Sequence, residues 1–173
     1  MKNKKRQGLL IAVVLTLMSL PAFVFASDGK NEQETLRGIN ALHVIVHDID
    51  QEAEQYGLTR EKIQKDFETR LGMAGITVLS EEESSEVPGA PFITLTVGTM
   101  RAFTTKGSEF HFISILIKLR QNVYLERKPK NRIHGIATWS NIRFGVNFGQ
   151  NIRSEINKAI DQFINAHASA NSK

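Results

Sequence analysis

Residues 109–125 read EFHFISILIKLRQNVYL, and how this run is taken decides the fold. One set of alternate positions holds His111, Ile113, Ile115, Ile117, Leu119, Gln121, Val123 and Leu125. The other begins apolar with Phe110, Phe112 and Leu116, then turns polar at Lys118, Arg120 and Asn122. A period of two with many β-branched residues is the pattern of a strand. Extended throughout, the run would span on the order of 55 Å, against about 25–30 Å across a domain of this size. A bulge must therefore break it, or its far end must project as a ribbon with the strand that returns.

ERKPKNR (126–132) turns the chain and IHGIATWS (133–140) brings it back. Upstream, Ile93, Leu95 and Val97 alternate with Thr94 and Thr96 in a half-buried strand, joined to the long one by a turn at Gly107. Further back, INALHVIVHDI (39–49) is another strand. The segment from Gly57 to Gly75 is an amphipathic helix, with Thr59 as its cap and Ile63, Phe67 and Leu71 on one face. ITVL (76–79) is a short strand, so strand, helix and strand make a parallel unit. SEEESSEVPGAP (80–91) reads as an acidic loop, and Ile152, Ile156, Ile160, Phe163 and Ile164 define a closing helix. Both helices need a sheet to cover. The expected fold is α+β: a two-layer sandwich with a mixed, mostly antiparallel sheet of about five strands, two helices on one face and a long central hairpin.

ALHVIVHDID (41–50) sets His43 and His47 four apart with Asp48 and Asp50 behind. On a helix that spacing gathers ligands around one metal ion. On a strand the two histidines lie about 13 Å apart, so the strand reading removes the metal site unless one of them recruits His111, His134 or a carboxylate from a neighbouring strand. DIDQEAEQYGLT also fails as a calcium loop, because Ala53 fills the glycine position and Thr59 the bidentate glutamate position.

The first 26 residues have the layout of a cleavable secretory signal. Lys2, Lys4, Lys5 and Arg6 precede an apolar run from Leu9 to Leu20, and Val24 and Ala26 stand where a signal peptidase reads. The expected organisation is a signal over 1–26, a polar leader over 27–38 and one domain over 39–173, in the periplasm or secreted. The net charge of +4 comes entirely from the signal; the remaining chain has 18 residues of each sign. A basic field for nucleic acid is thereby excluded. The chain contains no cysteine, which rules out disulfides, thiol nucleophiles, Cys-ligated zinc and attachment of lipid to an N-terminal cysteine.

Taken together, LRGINALHVIVHDID, GLTREKIQKDFETRLGMAGITVL, ATWS and INKAIDQFINAHASAN resemble a family of small exported bacterial proteins of unknown function. The resemblance spans nearly all of the chain after the signal and implies export and fold, without a mechanism. AHASAN departs from the usual aromatic–aliphatic pair at the end of the last helix, which implies a loosely packed final turn. In element order the chain also resembles small envelope domains such as the lipopolysaccharide-assembly lipoprotein, an analogy of fold alone.

No catalytic constellation is evident. KGSEF lacks the second glycine of a nucleophile elbow, and there is no phosphate-cradling glycine loop and no H-E-x-x-H. Trp139, the only tryptophan, reads as a core anchor sharing a face with Ile133, Gly135 and Ala137. Charge is distributed unevenly: residues 27–86 hold 14 acids and 6 bases, residues 87–173 hold 4 and 12. Lys118, Arg120, Arg127, Lys128, Lys130 and Arg132 crowd the far end of the hairpin, offset by Glu126. Three accounts follow: a solvated ribbon tip, a docking surface for anionic lipid headgroups, lipopolysaccharide or an acidic protein, or pairing of acidic and basic halves in a homo-oligomer. Phe110, Phe112 and Leu116 add an apolar face that helices in one layer leave uncovered. These nine residues are the candidate contact site, for an unknown protein, a lipid headgroup in peripheral membrane contact, or a second copy. No catalytic residue, metal or cofactor is expected.

Overall fold

The computed structural model describes residues 25–26, 29–49, 54, 57–147 and 152–172. Most of the expected signal, and half of the stretch weighed as a calcium loop, lie outside them. The elements in chain order are β1 (Phe25–Ala26), α1 (Lys30–Glu34), β2 (Ala41–Val46), α2 (Arg60–Met73), β3 (Thr77–Leu79), α3 (Glu81–Glu86), β4 (Phe92–Phe103), β5 (Glu109–Leu125), β6 (Lys128–Asn147) and α4 (Ile152–Asn171). The strands form one sheet in the order β1-β6-β5-β4-β2-β3. β2 is parallel to both β3 and β4, and the remaining pairings are antiparallel. This is the expected α+β sandwich with a mixed sheet.

The alternation in β5 points Ile113, Ile115, Ile117 and Leu119 to one side, where all four are buried. Ile93 and Leu95 of β4 and Leu42, Val44 and Val46 of β2 join them on this inner face. Ile63, Phe67 and Leu71 of α2 and Ile156, Ile160 and Phe163 of α4 close the layer from above. Trp139 is 1% exposed and meets Phe163 edge-on at 5.3 Å between ring centroids, as a core anchor should. Ion pairs join the two helices: Arg70 to Asp161 at 2.6 Å, and Arg153 to Asp66 at 2.6 Å.

The long strand is broken by bulges rather than run straight. Register shifts fall between Leu119 and Arg120, between Gln121 and Val123, and between Tyr124 and Leu125. Leu119 faces Trp139 but Arg120 faces Ala137, so Thr138 is the extra residue and the parity of β6 changes there. Ala137 therefore does not share Trp139's face, contrary to the expectation from simple alternation. Gly135 adopts φ +61°, a left-handed backbone that glycine accepts without penalty. Arg120 Nη1 donates to Gly135 O at 2.9 Å and Gly135 N donates to Asn122 Oδ1 at 3.0 Å, fixing the bend.

Three other expectations are corrected. Residues 80–91 are not simply a loop: Ser80 and Glu83 form a reciprocal capping box that starts α3. The polar leader is also part of the fold, because it forms α1 and places Leu36 in the core at 0% exposure. The final turn of α4 is firmly held. Ala166 and Ala170 are buried, Gly38 N donates to Asn171 Oδ1 at 2.8 Å, Asn171 Nδ2 donates to Leu36 O at 3.2 Å, and His167 Nε2 donates to Ile39 O at 2.6 Å. Small residues let the helix approach closely, and polar ends do the tying that an aromatic pair would otherwise do.

Candidate functional site

The outer face of the sheet, away from α2 and α4, is unevenly covered. The link from β3 to β4 must cross β2, and it carries α3. The Glu82 carboxyl is held below its ordinary value by its own backbone N–H, then by the Ser80 hydroxyl, with a smaller contribution from His43. His43 alternates with the core-facing Leu42 and Val44, so α3 sits on the outer side, over β2 and β3. On this outer side, among the described residues, no helix lies over β4, β5 and β6.

On that bare area the strand register builds cross-strand rows. Met100, Phe112 and Val146 make one, Gly98, Ser114 and Phe144 the next, then Thr96, Leu116 and Ile142, and then Thr94, Lys118 and Ser140. Met100 is 59% exposed, Phe112 43%, Phe144 51% and Val146 52%, so the first rows present apolar side chains to solvent. Phe110 packs edge-on against Phe112 at 5.2 Å. The other members of Phe144's row, Ser114 and Gly98, are small, so the face is low on the β5 and β4 side of the ring. Such contiguous exposed apolar surface is a feature of interaction sites.

The basic residues occupy the other end of the same hairpin. Lys118 and Arg120 are half-buried on the outer face, with Arg120 engaged at the bulge. Arg127, Lys128, Lys130 and Arg132 are exposed at the tip, where Arg132 faces Tyr124 across the hairpin. From Phe112 to Tyr124 is on the order of 40 Å of strand. The nine sequence-selected residues thus form two groups, an apolar end and a basic end of one hairpin, rather than a single site. Met100, Ile142, Phe144 and Val146 were missed. The signal for the last three was the alternation in NIRFGVN (141–147), beyond the point where the returning strand was taken to stop; Met100 lies past the point where the strand of Ile93, Leu95 and Val97 was taken to stop.

The histidines do not converge. His43 Nδ1 lies 2.9 Å from Leu79 O, His111 Nε2 lies 3.1 Å from Glu109 Oε1 on the inner face, and His167 is bonded to Ile39 O. His47, just past the end of β2, and His134 of β6 are exposed. Among the described residues no group of three or more His, Cys, Asp or Glu is placed to hold a metal ion. A shallow open depression lined by His43, Val44, Arg60, Glu61 and Gln64 lies at the edge of β2, where Gln64 bonds the strand itself. No helix among the described residues is long and apolar enough to cross a membrane.

No protein-family model matches the chain, and no curated protein matches it either. Among solved structures it is similar to a dodecamer of PelC from Paraburkholderia phytofirmans. The TM-score is 0.45 and the identity 12%, over 76% of this chain and 90% of that one.

Proposed function

We propose that the chain is an exported, non-catalytic protein of the bacterial periplasm or cell envelope that binds or helps assemble a partner through the bare face of β4, β5 and β6. The observation that carries this reading is the set of apolar rows centred on Phe112, Phe144 and Val146. A sheet face packed on nothing is normally polar at alternate positions, and this one is apolar over half its length. The partner surface that fits is apolar, and a second copy of the chain has one.

Native mass spectrometry of the processed protein from periplasm tests the reading. Added mass or a multiple of the chain mass is the expected result, and it should be lost in Phe112→Glu with the fold intact by circular dichroism. A bare monomer in both proteins would count against the face.

A second reading is favoured by the exposed tip residues Arg127, Lys128, Lys130 and Arg132: attachment to anionic lipid headgroups or lipopolysaccharide. Each basic side chain near such a surface contributes about 1 kcal/mol. Binding to vesicles containing anionic lipid should be salt-sensitive and lost when Lys128, Lys130 and Arg132 are all changed to Glu. Unchanged binding in that triple variant would sink it.

A further inference from the structure

The two edges of the sheet are finished differently. β3 pairs with β2 only over Ala41–His43. Beyond it, Val46 N donates to Gln64 Oε1 at 3.1 Å and Gln64 Nε2 donates to Val44 O at 2.8 Å, so a side-chain amide from α2 stands in for the missing strand. At the opposite edge runs β6. Near its bulge, Thr35 Oγ1 donates to Thr138 O at 3.1 Å. Beyond that, among the described residues, its edge is met by β1 alone, with Phe25 opposite Ile142 and Ala26 opposite Asn141. Phe25 and Ala26 are also the last two residues of the expected signal. If the signal is removed, the strand that closes this edge leaves with it.

We infer that the processed chain pairs the Ser140–Val146 edge of β6 with the same edge of a second copy, antiparallel about a two-fold axis, joining two sheets into one. This rests on the export reading above and names its partner. Four observations carry it. The edge accepts an antiparallel strand at this point, since the chain's own β1 does so. Pairing of one antiparallel strand with its copy is self-complementary, as a two-fold interface requires. The usual defences of an exposed edge are lysine and other free charges, proline, bulges and inward-pointing charges that a partner would have to bury. Ser140–Val146 contains no lysine or proline, and its one charge, Arg143, is already paired with Glu155 at 3.2 Å with only 13% of its side chain exposed, so a second strand would bury no free charge there. Finally, Ile142, Phe144 and Val146 would stand beside their counterparts, so the apolar rows of two copies become one continuous face.

The absence of native cysteine makes the test direct. The full chain is expressed for export, its intact mass gives the cleavage point, and sedimentation gives the number of copies. Single cysteines placed in turn across residues 140–146 then report the register by oxidative cross-linking, and amide hydrogen exchange reports the edge independently. The expected result is a chain beginning at Ser27 that sediments at twice its mass. One position should cross-link far above the rest, and amides of 140–146 should lose protection on dilution to monomer. A processed chain that stays monomeric at high micromolar concentration overturns the inference while leaving export standing. So does a dimer that neither cross-links in this stretch nor protects it, or a one-to-one complex with another protein's strand there. A chain that keeps residues 1–26 overturns the export reading, and this inference with it.

Discussion

Glu155 shows how a single carboxylate couples the helix layer to the sheet. Burial raises its pKa, but bonds from Lys158 Nζ at 2.6 Å and Arg143 Nη2 at 3.2 Å outweigh that and leave it below the ordinary 4.5. A carboxyl depressed in the folded state contributes stability that is whole above its unfolded value. That contribution is lost as pH falls through the folded value. Melting temperatures taken between about pH 6 and pH 3 should therefore drop less steeply in Glu155→Gln than in the parent; equal slopes would remove Glu155 from the acid response. Trp139 is the other residue with a clear expected value. Truncation to Ala should cost about 3–5 kcal/mol, measured by chemical denaturation followed by circular dichroism. Its role as an anchor was legible from its position in an apolar strand, whereas its neighbours were not. A bulge at Thr138 changes parity without leaving a signature in hydrophobic alternation.

Elements with a strong period were legible and elements held by their ends were not. α2, α4 and β5 each bury one periodic stripe, which is visible in the order of residues alone. α3 is six residues with Ser84 as its one buried side chain, and nothing apolar marks it. What holds it is the exchange between Ser80 and Glu83, with Glu83 N donating to Ser80 Oγ at 3.2 Å and Ser80 N donating to Glu83 Oε2 at 2.8 Å. Ser84 Oγ adds a bond to Pro91 O at 2.9 Å. Ser80→Ala should cost about 1 kcal/mol and raise the pKa of Glu82, which loses the hydroxyl that supports its charge. Carboxyl titration by NMR checks the second point without relying on global stability.

At the scale of the whole molecule, the apolar face was partly legible. Phe110, Phe112 and Leu116 sit on the wrong side of a strand whose other side already fills the core, and that conflict is visible in one segment. Local alternation groups Phe144 with Val146, but only the register of three strands, a long-range property, sets them and Met100 beside Phe112. Edge protection is likewise a property of the assembled sheet. Gln64→Ala should leave Val46 N and Val44 O open to another chain, and light scattering on warming should show earlier aggregation than in the parent. An unchanged onset would mean that β3 alone guards that side.

The tie between Asn171 and the Leu36–Gly38 segment has a consequence for the order in which the molecule can form. The stretch leading into β2, a strand with parallel neighbours on both sides, is fastened by a side chain near the end of the last helix. Contacts this distant in sequence close late and make folding slow. While the chain is being synthesised, β2 can gain its cover from α2 but lacks its fastening, and the apolar stripe of β5 stays open until α4 has emerged. In a chain built this way the cover of β5 and the tie on β2 arrive together, with the final helix.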